Sequence, residues 1–177
     1  VRLRNTECNF DYRSSIFKNQ AHGRYIISSV KLKLNQPGLD YQIPKYMALA
    51  DKLKDISKPN LSDVRKAVIE LRKSKLPDPK TTPNTGSFFK NPVVTSKLFE
   101  DIKEKYPHVP SYQVDKGLVK IPAGWLIEQA GLKGKEFNGF KIYDKQALVL
   151  VNVSATKFLE LKATYELIQN KIKNKLY

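Results

Sequence analysis

The sequence predicts an α+β protein, and three observations carry the prediction. Residues 25–34 end in strict alternation, with Val30, Leu32 and Leu34 on one side and Lys31 and Lys33 on the other, which is the period of a half-buried strand. A second segment, Gln146–Asn152, reads as a buried strand. Elsewhere apolar residues recur at three- and four-residue spacing, as on the packed faces of amphipathic helices.

From the N-terminus, residues 1–18 are polar, charged and turn-like, with no glycine-rich phosphate cradle before them. Arg13 follows Tyr12 there. A guanidinium on a short, anchored segment stays charged and offers several donors at fixed angles, which suits an oxyanion or enolate; a surface arginine stacked on Tyr12 is the other reading. After the strand, Gln36-Pro37-Gly38-Leu39-Asp40-Tyr41 breaks regular structure and carries one large aromatic. Tyr46, Leu49, Ala50 and Leu53 then fall at i, i+3, i+4 and i+7, as do Val64, Ala67, Val68 and Leu71. They predict two packing helices, the second with Ser62 as its N-cap. Pro77 and Pro79 stop the second helix, which places a domain boundary near Leu76 and divides the chain into residues 1–76 and 77–177. Lys75 then stands at the mouth between two domains, either as a point charge for a pyrophosphate or as a helix-terminal cation complementing the dipole.

The central stretch is Thr85-Gly86-Ser87-Phe88-Phe89-Lys90-Asn91-Pro92-Val93-Val94. Gly86 lets the backbone approach a ligand, leaving the Ser87 hydroxyl at the ligand's edge as a proton donor. A rigid apolar pair, a cation and an amide follow, and Pro92 prevents continuation as a regular element. The mixture suits a site, although a buried strand with a turn at Gly86 has the same composition. Leu98, Phe99, Ile102 and Tyr106 mark a third helix, ended by Pro107 and Pro110. Pro122 opens a fourth, with Ala123, Leu126, Ile127 and Ala130 on one face and Gly131 closing it. Trp125 is assigned to the core. Gln146 offers both donor and acceptor at the start of its strand, and Phe158, Leu161, Tyr165, Ile168 and Ile172 give a long final helix.

With 177 residues and 41% hydrophobic composition, the chain can build a real core. No apolar run approaches the roughly 20 residues of a bilayer span, and the N-terminus lacks a signal-peptide stretch. A lone Cys8 forms no disulfide framework, so a reducing cytoplasm is expected. The formal charge of +15 calls for an anionic partner. Because 26 of the 32 basic residues are lysines spread along the chain, and base readout relies on arginine, the excess argues only weakly for nucleic acid. Two isolated histidines and one cysteine support neither a metal centre nor a serine–histidine triad.

Four ordered stretches carry a family resemblance: Tyr12-Arg13-Ser14-Ser15-Ile16-Phe17-Lys18, Lys75-Leu76-Pro77-Asp78-Pro79, Gly86-Ser87-Phe88-Phe89-Lys90-Asn91-Pro92, and Ala123-Gly124-Trp125-Leu126-Ile127 running to Gln146-Ala147-Leu148-Val149-Leu150. Together they resemble the UDP-N-acetylenolpyruvoylglucosamine reductases, the FAD- and NADPH-dependent enzymes (UDP-N-acetylmuramate dehydrogenases) that make the muramic acid precursor of peptidoglycan. The resemblance implies that residues 1–76 are the C-terminal part of an FAD-binding α+β domain and that 77–177 form a small mixed α/β substrate-binding domain.

The resemblance further implies that Ser87 donates a proton, Arg13 stabilises an enolate-like carboxylate, and Tyr41, Lys75, Asn91 and Gln146 hold the UDP portion of UDP-N-acetylglucosamine enolpyruvate. No nucleic acid or membrane partner is implied. Two departures stand out. The family's glycine-rich flavin domain would precede Val1, and its second catalytic acid, a glutamate after the last helix, would follow Tyr177. Neither Glu160 nor Glu166 matches that acid. A fragment without tight flavin binding or turnover is therefore expected, and a basic binder of nucleic acid or of an acidic partner is the alternative.

Overall fold

A computed structural model describes residues 1–34 and 46–176. Contacts divide the chain into two compact units, Val1–Ile43 and Pro44–Tyr177. The first is built on two single-turn 3-10 helices, Asn5–Cys8 and Ile16–Lys18, around buried Cys8, Ser15, Ile16 and Ala21. Between them Asp11 and Ser14 exchange both backbone hydrogen bonds at 3.1 Å, closing a turn with Tyr12 and Arg13 at its tip.

The strand expected over residues 25–34 is not formed. Val30, Leu32 and Leu34, expected to face inward, are 74%, 73% and 79% exposed. Alternation describes the two faces that an extended segment can present, but a neighbour must supply the hydrogen-bond ladder. None of the described residues pairs with this segment.

In the second unit α1 (Met47–Leu53) and α2 (Leu61–Lys75) pack through buried Leu49, Leu53 and Ala67, with Val64 and Leu71 beside them. The N-cap of α2 is Asn60, not Ser62. The Asn60 side-chain oxygen accepts from the Ser62 and Asp63 amides at 2.8 and 3.1 Å, and Asp63 reaches back to the Asn60 amide at 2.9 Å. Asparagine caps as well as serine, and the acid three residues on completes a reciprocal box that Ser62 could not make.

Two antiparallel sheets follow. One has the order β1-β7-β6-β5 (Asn84–Ser87, Val149–Asn152, Phe140–Ile142, Glu136–Phe137); the other has β2-β4-β3 (Val93–Thr95, Leu118–Lys120, Tyr112–Asp115). The expected strand over 146–152 is confined to β7, since residues 146–149 form a turn closed by Val149 N–H on Gln146 O at 3.0 Å. Helices α3 (Ser96–Lys105), α4 (Ala123–Gln129) and α5 (Phe158–Leu176) complete the unit. Phe99, Ile102, Val119, Ile121, Leu126 and Leu176 form one buried cluster, against which Trp125 packs. Ile127, Leu132, Phe140, Ile142, Leu150 and Ile168 form a second. Phe158, expected on the inner face of α5, is 72% exposed; fully buried Thr164 takes an inward position instead and donates its hydroxyl to Glu160 O at 2.7 Å. No helix among the described residues is long and apolar enough to cross a membrane.

The start of α5 carries a pH-sensitive cap. Glu160 accepts from the backbone amides of Thr156 and Lys157 at 2.8 and 2.7 Å. The Lys157 amide, followed by that of Thr156, holds its carboxyl below the ordinary value of 4.5. A depressed folded pKa contributes stability that is present above the unfolded value and is lost as pH falls through the folded one. We therefore expect the Thr156 and Lys157 amides to lose hydrogen-exchange protection as pH drops below 4.5, and Glu160→Gln to show reduced protection at neutral pH. Equal protection in the variant and parent at neutral pH would remove this cap from the account.

Candidate functional site

Ser87 owes its position to an irregularity in β1. Asn84 pairs with Val151 and Ser87 with Val149, so three steps on β1 match two on β7, and one residue is extra. The bulge is centred on Gly86, whose φ of +63° is a left-handed conformation that favours glycine. Side chains satisfy the displaced backbone. The Gly86 amide donates to Asn84 Oδ1 at 3.0 Å and the Leu150 amide to Thr85 Oγ1 at 3.3 Å. Regular pairing then resumes with the Phe88 amide on Leu148 O at 2.9 Å. Phe88 and Phe89 pack against the second apolar cluster, edge to face with centroids 5.2 Å apart, and Phe88 also meets Tyr165 at 5.8 Å. Anchored on one side by this aromatic pair and on the other by the bulge, Ser87 is left exposed.

Ser87 lies on the wall of an open cleft of about 320 Å³, shared with Tyr46 and Leu49 of the α1 segment, Val68, Leu71, Arg72 and Lys75 of α2, Leu76, and Gln146. Three sequence-predicted residues, Lys75, Ser87 and Gln146, thus meet at one surface. Among the described residues its charge is one-sided, because two cations and no carboxylate line it. Tyr46 caps the start of α1, and its hydroxyl accepts from Lys75 Nζ at 3.5 Å, with the ammonium 5.9 Å from the ring centroid. Gln146 begins the turn into β7, its Oε1 accepting from the Leu148 amide at 3.5 Å. An open apolar wall with a hydroxyl, an amide and two cations can hold a polar anion and present a proton to it.

Asn91 is not part of that wall. Its Oδ1 accepts from the Ala123 amide at 2.9 Å, satisfying the first N–H of α4. Arg13 belongs to the first unit, exposed at the tip of the Asp11–Ser14 turn with φ +50°. Positive φ in a non-glycine residue is costly and persists where surrounding structure fixes it; here the two Asp11–Ser14 bonds do so. Lys18 Nζ also donates to Arg13 O at 3.5 Å. Tyr41 lies outside the described residues.

Sequence reasoning passed over Arg72 and Tyr46. The signal for Arg72 was its position three residues before Lys75 on the same helix, hence on the same face. In the sequence Tyr46 reads as part of the apolar stripe of α1.

Residues 78–176 match the family model for the UDP-N-acetylenolpyruvoylglucosamine reductase C-terminal domain. The chain belongs to the UDP-N-acetylenolpyruvoylglucosamine reductase family. Among similar reductases of that name, the one from Flavobacterium johnsoniae is 51% identical over 149 residues, covering 84% of this chain and 44% of the relative. That from Chromobacterium violaceum is 39% identical over 176 residues (98% and 51%), and that from Porphyromonas gingivalis 41% over 175 (98% and 51%). The chain spans about half the length of the curated relatives it matches. The part common to this reductase C-terminal domain runs from β1 to α5 and contains Ser87, Asn91 and Gln146, whereas Arg13, Tyr41, Arg72 and Lys75 precede it.

Proposed function

We propose that this chain supplies the substrate side of a UDP-N-acetylmuramate dehydrogenase, which reduces UDP-N-acetylglucosamine enolpyruvate with FAD and NADPH. The observation that carries the reading is the meeting of Lys75, Ser87 and Gln146 on one cation-lined cleft. Reduction of the enolpyruvyl double bond requires a hydride and a proton. Among the described residues of the first unit Gly23 is the one glycine, and no glycine-rich phosphate cradle is assembled there. The residues that line the cleft supply the proton and the grip on substrate.

Ser87 delivers the proton to the carbon beside the reduced centre. A hydroxyl is a weak acid, so the step depends on a strongly basic carbanion and on fixed placement, which the bulge and the Phe88–Phe89 anchor supply. Arg13 steadies the enolate-like carboxylate; its fixed left-handed backbone supports a functional role. Lys75 takes diphosphate charge, Gln146 pairs with uridine or phosphate, and Tyr41 is a further substrate-binding residue. Asn91 contributes through its Nδ2 group, its Oδ1 being engaged by α4. The family match beginning at residue 78 supports a domain boundary near Leu76.

Calorimetric titration of the 177-residue chain with UDP-N-acetylglucosamine enolpyruvate tests the reading. We expect binding that survives moderate salt and that Lys75→Ala weakens about tenfold, the loss of one charge-assisted contact. Steeply salt-dependent retention of DNA or RNA, with no nucleotide-sugar binding, would replace it with the basic-binder alternative suggested by the +15 charge.

A further inference from the structure

A bulge interrupts the backbone ladder of a strand pair, and in β1 two side chains take the ladder's place. Residues 85 and 86 together oppose Leu150 on β7. Leu150 is fully buried, and its amide donates to Thr85 Oγ1 at 3.3 Å. The one proton of that hydroxyl is within reach of Gly86 O at 3.2 Å and Leu150 O at 3.4 Å. Thr85 thus ties the bulged strand to β7 at the step where the register shifts. Asn84 fixes the other side of the bulge. Its Oδ1 accepts from the Gly86 amide at 3.0 Å and its Nδ2 donates to Thr82 O at 2.9 Å, so both ends of the side-chain amide are engaged. The left-handed Gly86, φ +63°, is held in this way directly before Ser87. Neither Asn84 nor Thr85 lines the cleft.

We propose that Thr85 and Asn84 are positioning residues for Ser87: a hydroxyl and an amide replace the interrupted ladder and fix the point from which the Ser87 hydroxyl delivers its proton. The proposal rests on the reading of Ser87 as the proton donor. Both residues act through Ser87 and touch no ligand. Misplacing a reacting group by about 1 Å can cost about a hundredfold in rate. A residue that serves only the fold lowers the folded fraction and leaves the rate of each folded molecule alone.

The test is a pair of double-mutant cycles in a flavin-loaded reductase that contains this chain as its substrate side, reading kcat and KM, with thermal unfolding of each variant. Thr85→Val keeps the branched shape and loses the hydroxyl; it should lower kcat about tenfold to a hundredfold with KM little changed. Thr85→Ser should restore most of the rate, because the hydroxyl returns. Asn84→Ala should lower kcat in the same way, and it carries the test should Thr85→Val fail to fold, since it spares the contact to the buried Leu150 amide. In a Ser87→Ala background neither change should slow turnover further, because the group they position is gone. Equal slowing in the two backgrounds would make the pair a general support of the fold and overturn the proposal. Parent-like kcat in both Thr85→Val and Asn84→Ala would overturn it too, while a slow Ser87→Ala keeps Ser87 as the donor. If Ser87→Ala turns over at the parent's rate, the donor reading falls and takes the proposal with it.

Discussion

Replacing Ser87 by alanine should lower turnover by about 10²–10⁴-fold, the usual cost of removing a positioned proton donor, and leave nucleotide-sugar affinity little changed. The split follows from the geometry. Ser87 is exposed on the cleft wall, and its hydroxyl has no hydrogen bond among the described residues, so deleting it breaks nothing in the fold. The cleft contacts that would hold the UDP portion come from Lys75 and Gln146, which the substitution leaves in place. The measurement is NADPH oxidation by a flavin-loaded reductase that contains this chain as its substrate side, paired with calorimetry on the 177-residue variant. Turnover at the parent's level would take the proton from Ser87, and a parallel loss of affinity would make it a binding residue.

What makes the serine a candidate was visible in the sequence only in part. The chemistry could be read, because a glycine followed by a hydroxyl and an aromatic pair is a composition that suits a ligand edge. The geometry could not, because a bulge is a mismatch of register between two strands, and β7 lies some sixty residues away in the chain. The same limit explains the short strands. Helices α1 to α5 announce themselves through local spacing, whereas β2 to β6 are two to four residues long and take their identity from partners. Residues 25–34 show the converse error, since a persuasive alternation has no described partner and forms no strand. Asn91 was legible as a polar residue in the motif, but its hydrogen bond to α4 depends on a helix thirty-two positions away.

Leu150→Ala should be the most damaging single change to stability near the site, costing about 2–5 kcal/mol as a large-to-small substitution in a closed core. Leu150 is fully buried on β7 within the second apolar cluster, against which Phe88 and Phe89 also pack. Its own amide donates to Thr85 Oγ1 across the bulge, so the floor of the site and the core are one piece of backbone. Domains of this kind have about 5–15 kcal/mol in all, which leaves a variant of this type folded but close to its limit. Denaturant unfolding should show a lower midpoint with an unchanged slope, the sign of lost stability without a change in the surface exposed. Nucleotide-sugar affinity of the folded fraction should stay near that of the parent, because Leu150 is not among the residues that line the cleft. A midpoint equal to the parent's would mean that the cluster collapses around the missing methyls, and that the bulge holds Ser87 without support from the core beneath it.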